Sequence, residues 1–144
     1  MNILLTGATG YIGKRLLPIL VAQGHHVICC VRDPKRFNPP DSLLSNIEVL
    51  KIDLLDTNSL EQLPKNIDAA YYLVHSMSAS KDYLVLEQQA ALNFRFAIDK
   101  TKVTPQLIER YYDLFSRKGN AGAFLKLVNN LLLILILSFE PFNF

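Results

Sequence analysis

Short, unbroken apolar runs alternate with segments whose apolar residues recur at helical spacing. Ile3, Leu4 and Leu5 form the first run, and Leu16, Leu17, Leu20 and Val21 follow on one face of a predicted helix. Pro18 lies inside that helix and should remove one backbone bond and kink it locally, and Gly24 is a natural C-terminal stop. Val27-Ile28-Cys29-Cys30-Val31 is continuously apolar, as in strands buried on both faces of a parallel sheet. Residues 33–46 carry three prolines and predict a loop with at most one helical turn. Ile47 to Ile52 alternates as a third strand, and Asp56-Thr57-Asn58-Ser59 offers N-cap residues for a short helix through Leu63, stopped by Pro64. Ala69 to Val74 predicts a fourth strand. A long helix over about 80–100 follows, with Leu84, Leu86, Ala90, Ala91, Phe94 and Ala97 as apolar positions.

Strands alternating with helices pair in parallel through crossover connections, so the pattern predicts an α/β, doubly wound sheet. The expected strand order is 3-2-1-4, with a ligand crevice between strands one and four.

The chemistry sits at the first turn. Thr6-Gly7-Ala8-Thr9-Gly10-Tyr11-Ile12-Gly13 joins strand one to helix one. A helix start leaves backbone N–H groups unpaired, and the helix dipole adds positive potential, so the position favours an anion. Gly7 permits the tight turn, Gly10 lets the backbone approach a pyrophosphate, and Gly13 lets the helix pack close to the sheet. The spacing G-x-x-G-x-x-G is one residue longer than the usual dinucleotide fingerprint. A tight turn without a ligand is the alternative reading.

Composition narrows the class. The 144 residues are about one domain, half of them are hydrophobic, and the net charge is +2, which argues against disorder and against a nucleic-acid partner. Adjacent Cys29 and Cys30 should face opposite sides of a strand and stay unpaired as buried thiols. Their usage, with no secretory signal before them, sets a reduced, cytoplasmic expectation. His25 and His26 lack the spaced ligand set a metal requires, so no metal site is expected.

Four segments together, TGATGYIG, VRDPKRF, KIDLLDTNSL and DAAYYLVHSM, resemble the atypical short-chain dehydrogenase/reductases. The resemblance is to their NAD(P)H-binding, NmrA-like members, often described as nucleoside-diphosphate-sugar epimerase-like. It covers residues 1 to about 103 and implies a Rossmann-type domain over 1–103 with a non-matching tail over 104–144. It further implies a nicotinamide dinucleotide cofactor on Gly7, Thr9, Gly10, Tyr11, Ile12 and Gly13. Arg32, just past strand two, would meet the adenosine ribose. With Val31 where NAD-selective relatives carry a carboxylate, the implied preference is NADP(H) over NAD(H). Lys35 and Arg36 would add positive potential, whereas Asp33 turned inward would select NAD. A solvated surface charge is the alternative for Arg32. Asp53 and Leu54 would meet the adenine edge, or Asp53 is a plain strand-end turn residue. Leu73, Val74 and His75 would lie along the cofactor, and a locally hydrogen-bonded His75 is the alternative to a catalytic one.

Hydride-transfer relatives use a tyrosine with a lysine four residues later. Here the residues four after each tyrosine are Arg15, His75, Ser76, Glu87, Phe115 and Ser116, so catalytic residues are left unassigned. Beyond Val103, Thr104-Pro105 starts a predicted amphipathic helix carrying Leu107, Ile108, Tyr111, Tyr112, Leu114 and Phe115. The aliphatic run Leu131 to Leu137 follows. Lys126, Asn129 and Asn130 make it a poor membrane span, and a strand or helix covering a sheet edge is expected instead. An edge left open would be a route to an oligomer. Three functions stay in contention: an NADP(H)-binding, oxidoreductase-type domain with little turnover alone, a non-catalytic nucleotide-binding or redox-sensing module, and a truncated chain whose tail meets a partner or membrane.

Overall fold

Strand β1 (Asn2–Thr6) lies at the centre of the sheet, flanked in parallel by β2 (His26–Val31) and β4 (Ala69–Tyr71). The structure is a computed structural model that describes residues 1–74, 81–101, 103 and 136–138. Outside β2 runs β3 (Ile47–Lys51), also parallel, so the parallel strands take the expected order β3-β2-β1-β4. A fifth strand, β5 (Ile136–Ser138), pairs antiparallel with β4, Ala69 opposite Ser138 and Tyr71 opposite Ile136. It comes from the end of the aliphatic tail run and occupies the outer edge of β4. The predicted helix bearing Leu107 to Phe115 lies outside the described residues.

Helix α1 (Tyr11–Ala22) covers one face of the sheet, and α2 (Thr57–Leu60) with α3 (Lys81–Ile98) covers the other. Alternation along each strand divides the core. Ile3, Leu5, Val27, Cys29, Ala69 and Tyr71 pack with Leu17 and Leu20 of α1. Leu4, Ile28, Cys30, Ala70 and Tyr72 pack with Leu60, Ala90, Phe94 and Ile98. Cys29 and Cys30 therefore do face opposite sides, each buried among apolar side chains and unpaired. Burial pushes both thiols up to about 12, with Cys29 and Glu48 adding to the effect at Cys30.

Four details differ from the pattern-based expectation. The proline-rich 33–46 segment holds two 3-10 helices, Pro34–Arg36 and Asp41–Asn46, and Leu43 of the second is buried beside α1. This short element takes the place of a crossover helix on the α1 face. Helix α2 ends at Leu60, not Leu63, because Gln62 and Leu63 donate to residues three back, at 3.2 Å each, in the tighter pattern common before a proline. Strand β3 ends at Lys51, although the Ile52 N–H still reaches the Val31 carbonyl at 2.9 Å. The β4 ladder stops at Tyr71 although its face alternation persists to Val74. A side chain takes over there: the Thr6 hydroxyl donates to the Tyr71 carbonyl at 3.1 Å and accepts from the Leu73 N–H at 3.2 Å.

Candidate functional site

Because the four strands are parallel, the residues that follow each of them collect along one rim of the sheet. The glycine turn follows β1, Arg32 follows β2, Asp53 and Leu54 follow β3, and Leu73 with Val74 follows β4. The structure thus brings to one rim the described residues that the resemblance implicates in cofactor binding. His75 lies outside the described residues.

The glycines have separable causes. Gly7 takes φ +69°, and a Cβ there would come within 2.6 Å of the Leu73 carbonyl oxygen. Gly13 is buried, and a Cβ on it would collide with the Gly7 carbonyl and approach the Ala8 Cα to 2.8 Å. Both are demanded by the fold. Gly10 is exposed with φ −78°, donates to the Gly7 carbonyl at 2.9 Å, and would bring a Cβ near only that same oxygen, at 3.2 Å. The protein's own packing does not exclude a side chain at Gly10; a ligand seated on the turn would.

Gly10 also begins α1 with no side-chain cap, and no acidic residue stands in the first turn. The N–H groups of Tyr11, Ile12 and Gly13 precede any carbonyl the helix can offer them, and face a rim open to solvent at Thr9, Gly10, Tyr11 and Ile12. Tyr11 and Ile12 are large apolar residues left well exposed. Arg15 stacks its guanidinium 3.6 Å above the Tyr11 ring, placing a cation one turn into the helix. An uncapped helix start with positive potential and a bare glycine cradle fits a pyrophosphate.

At the end of β2, Val31 is buried and Arg32, the next residue, is exposed. The Asp33 carboxylate accepts from the Lys35 N–H at 3.1 Å and caps the first 3-10 helix, beside exposed Lys35 and Arg36. At the β3 exit, Asp53 Oδ1 accepts from the Leu55 N–H at 3.0 Å, which makes Asp53 a turn residue as well as a rim residue. Its other carboxylate oxygen is not used by that turn. Val74 is half-buried and its side chain packs against the α3-side core.

Several contributors went unnoticed in the sequence. Thr6, buried to 1%, fastens the end of β1 to the β4 exit, and its signal was a lone hydroxyl at the end of an apolar strand. Ser59 binds the β3 exit, accepting from the Asp53 N–H at 3.0 Å. Asn93 of α3 reaches the Leu54 carbonyl at 2.9 Å. A groove of about 320 Å³ between α2 and α3 is lined by Thr57, Lys65, Asn93, Phe96 and Lys100 among others, and no glycine-turn residue borders it. Among the described residues no group of three or more His, Cys, Asp or Glu side chains is placed to share a metal ion, and no helix is long and apolar enough to cross a membrane.

Comparison with known proteins agrees with this geometry. Residues 7–110 match the family described as NAD(P)H-binding. An uncharacterised protein of Schizosaccharomyces pombe is 27% identical over 121 residues, 73% of this chain and 12% of that protein. Serine dehydrogenase from Escherichia coli superposes with a TM-score of 0.56 at 25% identity, over 68% of this chain and 54% of that one. An oxidoreductase from Lactococcus lactis superposes with a TM-score of 0.60 at 21% identity, over 90% of this chain and 57% of that one, which bears on the fold alone. The chain thus spans little more than half of these solved proteins and a small fraction of the yeast relative. It belongs to the NAD(P)H-binding family, of short-chain dehydrogenase/reductase-like fold, and its cofactor class is a nicotinamide dinucleotide.

Proposed function

We propose that this member of the family is the cofactor-binding part of an atypical, NmrA-like oxidoreductase that takes NADP(H) in preference to NAD(H). The reading is carried by the cradle at Gly10, where the fold leaves room that only a ligand needs to keep empty. Gly7, Thr9, Gly10, Tyr11, Ile12 and Gly13 would hold the pyrophosphate through backbone N–H groups, Arg32 the adenosine 2′-phosphate, and Asp53 with Leu54 the adenine. Val74 would flank the cofactor, with His75 beside it. Asp33 commits one carboxylate oxygen to the Lys35 N–H, which weighs against its turning inward to select NAD. That leaves the planar, charged fork of Arg32 as the side chain directly after β2.

When bound, the nicotinamide supplies the hydride donor or acceptor. This chain's residues would bind and orient it. No tyrosine in the sequence has a lysine four residues later, and hydride transfer also needs substrate held in near-attack geometry with a proton donor in reach. Turnover by residues 1–144 alone is therefore expected near background, and the same observation favours a redox-sensing role as the second reading. We place the dinucleotide domain at 1–103, with 104–144 as a non-matching tail whose β5 lines the β4 edge of its sheet, in a cytoplasmic protein. Self-association through a sheet edge belongs to the same proposal, with the outer side of β3 as the candidate edge.

Titration with NADPH and NADH tests the preference. A charge-assisted contact to phosphate contributes about 1.5–3 kcal/mol, so NADPH should bind at least about tenfold more tightly, and Arg32→Asp should narrow or reverse the gap. Equal affinity for both in the unmodified protein contradicts the assignment of Arg32.

A further inference from the structure

At the exit of β3, the backbone of residues 53–55 is held by several ties, among them the Asp56 N–H, which donates to the Asp53 carbonyl at 3.0 Å. Ser59 Oγ accepts from the Asp53 N–H at 3.0 Å and lies 2.7 Å from the Asp53 carbonyl, to which it can donate. The Asp53 carboxylate takes the Leu55 N–H at 3.0 Å. Between them, the Leu54 carbonyl accepts from Asn93 Nδ2 at 2.9 Å, a bond that spans 39 residues and reaches this corner from α3. Asn93 is itself nine-tenths buried, and its Oδ1 accepts from Gln89 Nε2 at 2.7 Å, which fixes which way the amide faces. A buried amide is costly unless both ends are bonded, and here both are.

These ties use the Leu54 carbonyl, the Leu55 N–H and one Asp53 oxygen. They do not use the Leu54 N–H or the second Asp53 oxygen, a donor and an acceptor on adjacent residues after β3. That pair complements adenine, whose exocyclic amine donates beside a ring nitrogen that accepts. It opposes hypoxanthine, where a carbonyl and a ring N–H stand reversed.

We propose that Asn93 is a positioning residue for base recognition: by holding the Leu54 carbonyl it fixes the Leu54–Leu55 peptide, whose N–H holds Asp53 Oδ1, and so aims the second Asp53 oxygen for this corner to select adenine. The inference rests on the cofactor reading above and goes beyond it in naming a residue on α3 that sets base specificity without touching the base. An Asn93→Asp substitution keeps the shape but replaces the donor with a carboxylate oxygen facing the Leu54 carbonyl.

The test compares NADPH with its hypoxanthine analogue by equilibrium titration. The unmodified protein should favour the adenine form at least tenfold. N93D should cut that ratio to threefold or less while changing the affinity for the hypoxanthine form less than threefold, an effect that simple loosening of the fold would not produce. If N93D does not fold, Gln89→Met carries the test, since it removes the bond that orients the amide from an exposed position, and the ratio should fall at least twofold. Failure of the unmodified protein to bind either dinucleotide overturns the cofactor reading and this inference with it. Binding without base preference, or an unchanged ratio in a folded variant, overturns the role of Asn93 alone.

Discussion

The carbonyl oxygen of Leu73 lies 2.6 Å from where a Gly7 side chain would begin, so the glycine turn and the β4 exit are pressed backbone to backbone. One residue earlier, the Thr6 hydroxyl joins the same two segments by hydrogen bonds. The turn is therefore held from beneath by the sheet, leaving its outer side to solvent.

Gly7 and Gly13 are fold residues. Gly7→Ala would force a Cβ onto a backbone oxygen at positive φ, and Gly13→Ala would drive α1 off the turn. Each should lower unfolding stability by about 1–3 kcal/mol, the usual cost of overpacking a tight site. Urea midpoints check this, and an unchanged midpoint in either variant contradicts the packing described.

Thr6→Val keeps the shape of the side chain and removes both of its bonds. The Tyr71 carbonyl and the Leu73 N–H then lose partners at a buried site, costing about 1–3 kcal/mol. Chemical denaturation measures the loss, and amide exchange at Leu73 should quicken with it. Protection at Leu73 equal to that of the unmodified protein would show that the hydroxyl is not its acceptor.

Tyr72 presents the opposite case. Its ring packs 5.1 Å from that of Phe94, yet its buried hydroxyl has no hydrogen-bond partner among the described residues. Burial, with Glu87 adding to it, pushes that hydroxyl up to about 12. Tyr72→Phe should leave stability unchanged or raise it by about 1 kcal/mol, since a desolvated hydroxyl is removed and the ring contact is kept. A clear loss of stability would reveal a partner for the hydroxyl.

The two thiols fix an alkaline limit. Folding raises both from 9.0 to about 12, so the folded state keeps them neutral where the unfolded chain ionises. Their contribution is complete below about pH 9 and is lost as the pH rises from 9 towards 12. Denaturation midpoints should fall over that window, and Cys29→Ala with Cys30→Ala should flatten the fall. At pH 8 the folded protein should resist thiol labelling that the unfolded chain undergoes readily, and rapid labelling of the folded chain would contradict the burial.

What was legible in the sequence was local. Continuous apolar runs marked β1 and β2, a glycine at each close approach marked the turn, and alternation with helices gave the order β3-β2-β1-β4. Arg32 and Asp53 stand where those strands end, and the family resemblance was needed to single them out. What was not legible depended on partners far along the chain. The β4 ladder yields to the Thr6 hydroxyl across 65 residues, and Asn93 holds Leu54 across 39. Neither bond leaves a mark in hydropathy, because Asn93 reads as a polar position within a helix and Val74 as one more strand residue. The double use of Asp53, as turn residue and rim residue, likewise emerges only with Leu55 and Ser59 in place.

Gly10→Val, titrated with NADPH by isothermal calorimetry beside the unmodified protein, tests the dinucleotide site most directly. A Cβ at Gly10 meets only the Gly7 carbonyl oxygen, at a tight 3.2 Å that a shift of a few tenths of an ångström relieves, so the variant should fold, which its denaturation midpoint checks. The unmodified chain should bind one dinucleotide per molecule, and G10V should bind none, because a branched side chain fills the place of the pyrophosphate. No binding by the unmodified protein, or normal binding by folded G10V, would contradict a cofactor seated on this turn.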